Sequence, residues 1–244
     1  MANHILLNNV DHQDLRINTA RSAALGDNVM SCIAYHGEFR NLQAHFPIVF
    51  ASDNQAGATN AMALMGLERG ENLFLSSAGW EVPYVPMAME MQPFLIGYSV
   101  SGGGQPQTVI HIDMESPRVG SEGEPVFLPM GGNTPYLEHV IGYLNQMHQG
   151  HEGSADFVAA LEKYDLLEPF ALDMQLVDGS SGRLSGYLTI NEEKLSELGA
   201  DALADLNGTG YLQAIYMVIA SLSKLPELIH RKNARIAAGQ ASVA

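Results

Sequence analysis

His111 and Asp113 are two residues apart in a run, TVIHIDM, that reads as a strand. At that spacing both side chains leave the same face. They form the near half of a facial triad that holds non-haem iron(II) with open positions for oxygen and a co-substrate, the distal ligand being His139, His148 or His151. The motif is only two residues long, and a strand face with a salt-linked histidine is the simpler reading of it. His148, His151 and Glu152 make up HQGHE. A helical zinc hydrolase needs HExxH or HxxEH, so that two histidines one turn apart share the metal and a glutamate reaches its water. The order here is wrong, and Gly150 and Gly153 are expected to break the helix, which leaves a polar helix end. Ser101 to Gly104 lacks the lysine and following helix of a phosphate loop and reads as a hairpin turn. There is no GxSxG elbow, and Cys32, set in NVMSCIAYH, reads as a buried thiol rather than a nucleophile. No catalytic residue is assigned, and no cofactor is expected outside the iron(II) alternative with His111, Asp113 and His148.

Binding is the other chemistry on offer. Trp80, Tyr84 and Phe94, with Pro83 and Pro86 between them, can line a groove for an extended peptide or small ligand, because aromatic rings give large contact area at low entropy cost. His12 and Arg16 are candidates to join that surface. Packing of a long loop onto the core explains the same aromatics. Lys224, Arg231, Lys232 and Arg235 gather near the C-terminus, either as the solvated cationic face of a helix or as a patch for an acidic partner; the first reading is adopted.

The elements that must position these residues follow from periodicity and punctuation. A short strand with one wet face is expected over 12–17, and helical spacing of Phe39, Leu42 and Phe46 ends at Pro47. Ile48 to Ala51 and Met62 to Met65 pair as a hairpin about a turn at 53–57, and 72–75 reads as another short strand. Pro86 opens a helix over 87–92 as its first residue, and Pro93 closes it. Phe94 to Val100 and Thr108 to Met114 form a hairpin across SGGGQPQ. The Gly-, Pro- and acid-rich 115–132 reads as a mobile surface loop. Thr134-Pro135 starts a helix with Leu137, Ile141 and Leu144 on one stripe, and Ser154 caps a second one running to Leu166. Phe170 to Val177 and Gly182 to Ile190 alternate as a hairpin. Asn191 and Asp201 cap short helices, and Pro226 bends or restarts the last long one. Hairpins early and helices late predict an α+β fold, with antiparallel hairpins of the N-terminal half packed against helices mainly from the C-terminal half.

The whole chain sets limits on partners. A formal net charge of -15 makes a general phosphate-binding surface repulsive, so nucleic acid and anionic lipid are excluded as expectations. One cysteine rules out an intrachain disulfide and a multi-cysteine zinc site. The N-terminus lacks the basic and apolar regions of a secretory signal, and the most apolar helix candidate, 211–222, is too short to span a bilayer. The chain reads as one domain over 1–244, with 1–31 as an N-terminal extension, in a soluble cytoplasmic protein.

HGEFRNLQAHFPIVF, ALMGLERGENLF, GWEVPYVP, QPFLIG, IDMESPRV and GYLQAIYMVIASLSKLPELIHRK, in that order and over nearly the whole chain, resemble the SapC family of bacterial proteins. The resemblance implies a soluble protein of about this length, named for a surface-layer gene region. Members are often encoded near TonB-dependent outer-membrane receptors and flavin-dependent halogenase-like enzymes. It therefore implies a non-enzymatic accessory role in surface-layer or uptake biology with a protein partner, such a halogenase-like enzyme among the possibilities. A structural surface-layer component is the further alternative. The resemblance supplies no catalytic residues.

Overall fold

The computed structural model describes residues 3–53, 58–99 and 107–241. In chain order the elements are β1 (His4–Leu6), β2 (Arg16–Ile17), β3 (Ser31–Ile33), α1 (Phe39–Leu42), β4 (Ile48–Asp53), β5 (Ala58–Leu64), β6 (Leu75–Ser76), β7 (Gly79–Trp80) and α2 (Met87–Glu90). They continue with β8 (Phe94–Ser99), β9 (Gln107–Asp113), β10 (Val119–Gly120), β11 (Glu124–Pro125), α3 (Pro135–Lys163), β12 (Leu167–Gln175), β13 (Ser181–Ile190), α4 (Glu192–Ser196), α5 (Ala200–Gly208), α6 (Tyr211–Ser221) and α7 (Leu225–Ala241).

The β4–β5 hairpin is the centre of a five-stranded antiparallel sheet, ordered β12-β13-β4-β5-β3. Ile48, Val49, Phe50, Ala63 and Leu64 are fully buried in it, and Phe39, Phe46, Ile215 and Val218 from α1, its exit and α6 complete the main core. A smaller sheet, β1-β9-β8, turns Phe94, Ile96, Ile110 and Ile112 onto Leu137, Val140 and Leu144 of α3, which makes a second core. The pairing is antiparallel throughout these sheets and the helices lie mostly in the C-terminal half, so the architecture is α+β. Residues 3–31 are tied in through β1 on β9 and through β2 between β10 and β11. The turns expected at 53–57 and 101–107 lie outside the described residues except for Asp53, which ends β4, and Gln107, which starts β9.

One unbroken 29-residue helix joins the two cores, which corrects the expectation of two helices parted at Gly150 and Gly153. Thr134 is its cap as predicted, its hydroxyl accepting from the Leu137 amide at 3.2 Å. The glycines do not break the helix; they let it come close to the loop after β3. A Cβ on Gly150 would sit 2.6 Å from the Tyr35 Cβ, and one on Gly153 3.2 Å from the His36 ring. Gly142 in the same helix faces open space. Gly142→Ala is therefore expected to stabilise by about 0.8–1 kcal/mol. Gly150→Ala loses that gain to overpacking that costs about 1–3 kcal/mol, so it is neutral to destabilising. Urea unfolding of the pair checks the opposite signs.

Other differences have local causes. Residues 72–75 hardly pair, since β6 begins only at Leu75. Asn72 is fully buried, donates to the Asp27 carbonyl at 2.8 Å and accepts from the Phe74 amide, which turns the chain instead of extending it. The strand expected over 12–17 shrinks to β2, because Asn8 accepts from the amides of Val10 and Asp11 and folds the preceding residues into a turn. Pro86 is the residue before α2 rather than its first, and Gly199, not Asp201, precedes α5. The loop 115–132 is held by β10 and β11 and by Arg118, only 2% exposed. The stretch 211–239 is long and apolar enough to cross a membrane by composition, but α6 puts Ala214, Ile215 and Val218 into the main core, and a 3-10 turn over Leu222–Lys224 interrupts the run.

Candidate functional site

His111 and Asp113 do share one face of β9, and it is the wrong one for a facial triad. Strand alternation puts Ile110 and Ile112 toward α3, so His111 and Asp113 point away from the helix that carries His139, His148 and His151. The His111 ring lies over Gly97, where a Cβ would approach it to 2.8 Å. The Asp113 Oδ1 accepts from the amides of Asn3 at 3.0 Å and Glu115 at 3.1 Å, closing the turn after β9. On the other side of the sheet His148 packs edge-on to Tyr98 and faces Glu152 at 3.7 Å, and His139 packs on Tyr143. Among the described residues no three His, Cys, Asp or Glu side chains converge as a metal-binding group. The alternative iron triad of His111, Asp113 and His148 is not assembled, because the sheet stands between its halves.

The aromatic groove is divided too. Trp80 and Tyr84 come together: the indole donates to the Tyr84 carbonyl at 2.9 Å, and both rings pack on the main core beside Phe46 and His45. Phe94, 2% exposed, belongs to the second core. His12 is 6% exposed and bonded to its own turn at Asn8, and Arg16 donates to the Gly123 carbonyl across β2–β11. The five residues do not form one surface: Trp80 and Tyr84 pack together on the main core, Phe94 lies in the second, and local turns and strand pairing hold His12 and Arg16 elsewhere. Burial and the Glu38 charge push the Cys32 thiol far up, which suits a structural thiol.

The charged residues with the most unusual settings were invisible as such in the sequence. Asp27 is fully buried and accepts from Arg118 Nη2 at 2.6 Å, from Arg21 Nη1 at 3.3 Å and from the Ser22 amide at 2.8 Å. Arg21 continues to Glu90 at 2.6 Å, so the network fastens the loop 18–28 to α2 and to the chain after β9. Glu38 is 1% exposed, and its Oε1 accepts from the Tyr84 hydroxyl at 2.8 Å and the Met87 amide at 2.7 Å. Burial raises its carboxyl above the ordinary 4.5, against the lowering effect of those two donors. The folded chain thus keeps this proton longer than the unfolded chain, and stability falls as pH rises from about 4.5 through the folded pKa. Glu38→Gln should flatten that arm of a stability-against-pH profile measured by urea unfolding; an unchanged arm would assign it elsewhere.

An open groove of about 950 Å³ lies between α7, the loop 21–28 and the β6–β7 turn. Arg21, Arg231 and Arg235 stand on its walls against Glu81 and Glu227, a local cationic excess in a chain of net charge -15. Arg231 pairs with Glu81 at 2.7 Å and Glu227 at 3.2 Å, its guanidinium 4.7 Å from the centre of the Phe74 ring. Lys232 binds Glu71 and Glu68. The C-terminal cations are thus mostly fastened to the body rather than solvated. Arg235 differs: its Nη2 donates to the carbonyls of Asn72 and Leu75 at 3.0 and 2.8 Å, and among the described residues no carboxylate pairs with it. The carbonyls fix the guanidinium plane on the groove wall, a geometry suited to a carboxylate. Helical spacing of 231 and 235 was the signal for a shared face, but nothing local placed Arg21 opposite them.

No curated protein and no solved structure matches the chain. The SapC family model matches residues 7–228, which takes in both cores, α3 and the first turn of α7, and the chain belongs to the SapC family.

Proposed function

We propose that this SapC-family chain is a non-enzymatic binding and accessory protein of the bacterial cytoplasm, serving a protein partner in surface-layer or TonB-dependent outer-membrane uptake. The observation that carries the reading is the groove along α7, where Arg235 is oriented by two backbone carbonyls and left without an acidic partner among the described residues. A guanidinium held that way takes an acidic segment of a partner, and the surrounding negative charge of the chain turns away acidic partners that miss it. The family resemblance implies a protein partner, and a flavin-dependent halogenase-like enzyme is one candidate. The reactive side chains support the same reading, since Asp113, Asp27 and Glu38 each accept structural hydrogen bonds.

Native mass spectrometry of protein purified gently from its own cells, without chelator and with elemental analysis of the same sample, tests this. A retained partner subunit is expected, and Ala234→Glu, which adds a carboxylate on the exposed groove face of α7 without removing a hydrogen-bonding side chain, should release it. A chain that carries stoichiometric iron, or a partner held equally by the Ala234→Glu variant, overturns the proposal.

A further inference from the structure

A second site is carried by different residues. Glu38 and His36 both line a small cavity of about 210 Å³ between the loop after β3, α2 and the middle of α3, together with Tyr35, Met87, Gln146 and Gln149. Each of the first two has a polar atom buried and without a partner among the described residues: Glu38 Oε2 and His36 Nδ1. A buried carboxylate oxygen without a donor costs far more than an unfilled neutral acceptor, so this corner of the fold is built for something that brings hydrogen to it. We propose that the cavity is a binding site for a primary ammonium group, with Glu38 Oε2 as its anion.

The chemistry selects that class. An ammonium group carries three donors and no acceptor, which matches a wall whose unfilled groups include a carboxylate oxygen and an imidazole nitrogen, with two glutamine amides beside them. Its charge offsets the desolvation of Glu38, which a neutral alcohol cannot do. Tyr35 lines the same cavity. None of the lining residues is Lys or Arg, so an anion gains nothing here. The volume is below the usual range for drug-sized ligands and fits a short alkyl chain. Tyr84, Cys32 and Tyr143 feel the Glu38 charge and are neutral acids at neutral pH, and among the described residues no Lys, Arg or His forms an ion pair with Glu38. Burial raises its carboxyl above the ordinary value, and a cation bound at Oε2 would act in the opposite direction.

Isothermal titration calorimetry of the full chain with propylammonium chloride, 1-propanol and Nα-acetyl-lysine amide tests the site and its source. Saturable binding of propylammonium at least tenfold tighter than propanol is expected. Binding of the lysine amide and not of propylammonium would also support an ammonium site and assign it to a lysine of another chain. Glu38→Gln, checked for folding by circular dichroism, should weaken binding at least tenfold. Equal binding of propanol, equal binding by a folded Glu38→Gln variant, or no saturable heat with either cation, a cavity filled by water only, overturns the proposal. Should the variant not fold, the propanol comparison on the wild-type chain still decides.

Discussion

Arg118→Met is expected to lower the free energy of unfolding by about 3–5 kcal/mol, read as a lower urea midpoint at constant slope. The magnitude follows from what is left behind. The Asp27 carboxylate is fully buried, and its shortest bond, 2.6 Å, comes from Arg118 Nη2. Without it the carboxylate keeps the Ser22 amide and the longer contact to Arg21, whose own charge is shared with Glu90. Arg118 also donates from Nη1 to the carbonyls of Asn18 and Ala20 at 3.1 and 2.9 Å, so two acceptors of the 18–28 loop are released together with the charge. Asp27→Asn added to Arg118→Met should recover part of the loss, because the uncompensated charge goes with it. Arg183→Met, at an exposed pair with Asp173, is the control and should cost no more than about 1 kcal/mol. A loss of under 1 kcal/mol for Arg118→Met would mean that strand pairing alone holds the 115–125 segment.

That network marks where sequence reasoning stops. The β4–β5 and β12–β13 hairpins, the Thr134 and Asn191 caps and the stripe of α6 were readable because each depends on residues within a few positions of one another. Burial of a charge is different in kind. The residues beside Asp27, Glu38 and Arg118 in sequence do not mark them for burial, and only the arrival of distant segments encloses them. The His111-Asp113 pair shows the same division: period-two alternation gives a shared face, but which face meets α3 is settled by the apolar residues between and beside them, Ile110 and Ile112. Gly150 and Gly153 were misread for a related reason. A glycine is a local cue for a helix end, and here its use is a close approach to Tyr35 and His36, far away in the chain.

Because α3 does not stop at those glycines, it delivers Phe157 into the main core, and Phe157→Ala is expected to cost about 3–5 kcal/mol. The ring is 2% exposed and lies 5.2 Å from Tyr211, 5.5 Å from His36, 6.0 Å from Phe39 and 6.3 Å from Phe50, centre to centre. It therefore touches α6, the loop after β3, α1 and β4 at once, and no single neighbour can move in to fill the hole. The first half of the same helix forms the floor of the second core through Leu137, Val140 and Leu144. A rigid rod shared by two cores makes them unfold together, which the one tryptophan can report, since Trp80 packs against Phe46 in the main core. In the wild-type chain, Trp80 fluorescence and far-ultraviolet circular dichroism should lose signal at one urea midpoint, and both should fall together in Phe157→Ala. Fluorescence that falls first in the variant, while the helical signal persists, would show that the second core and the N-terminal half of α3 hold without the main core, and that the long helix joins two units that do not depend on each other.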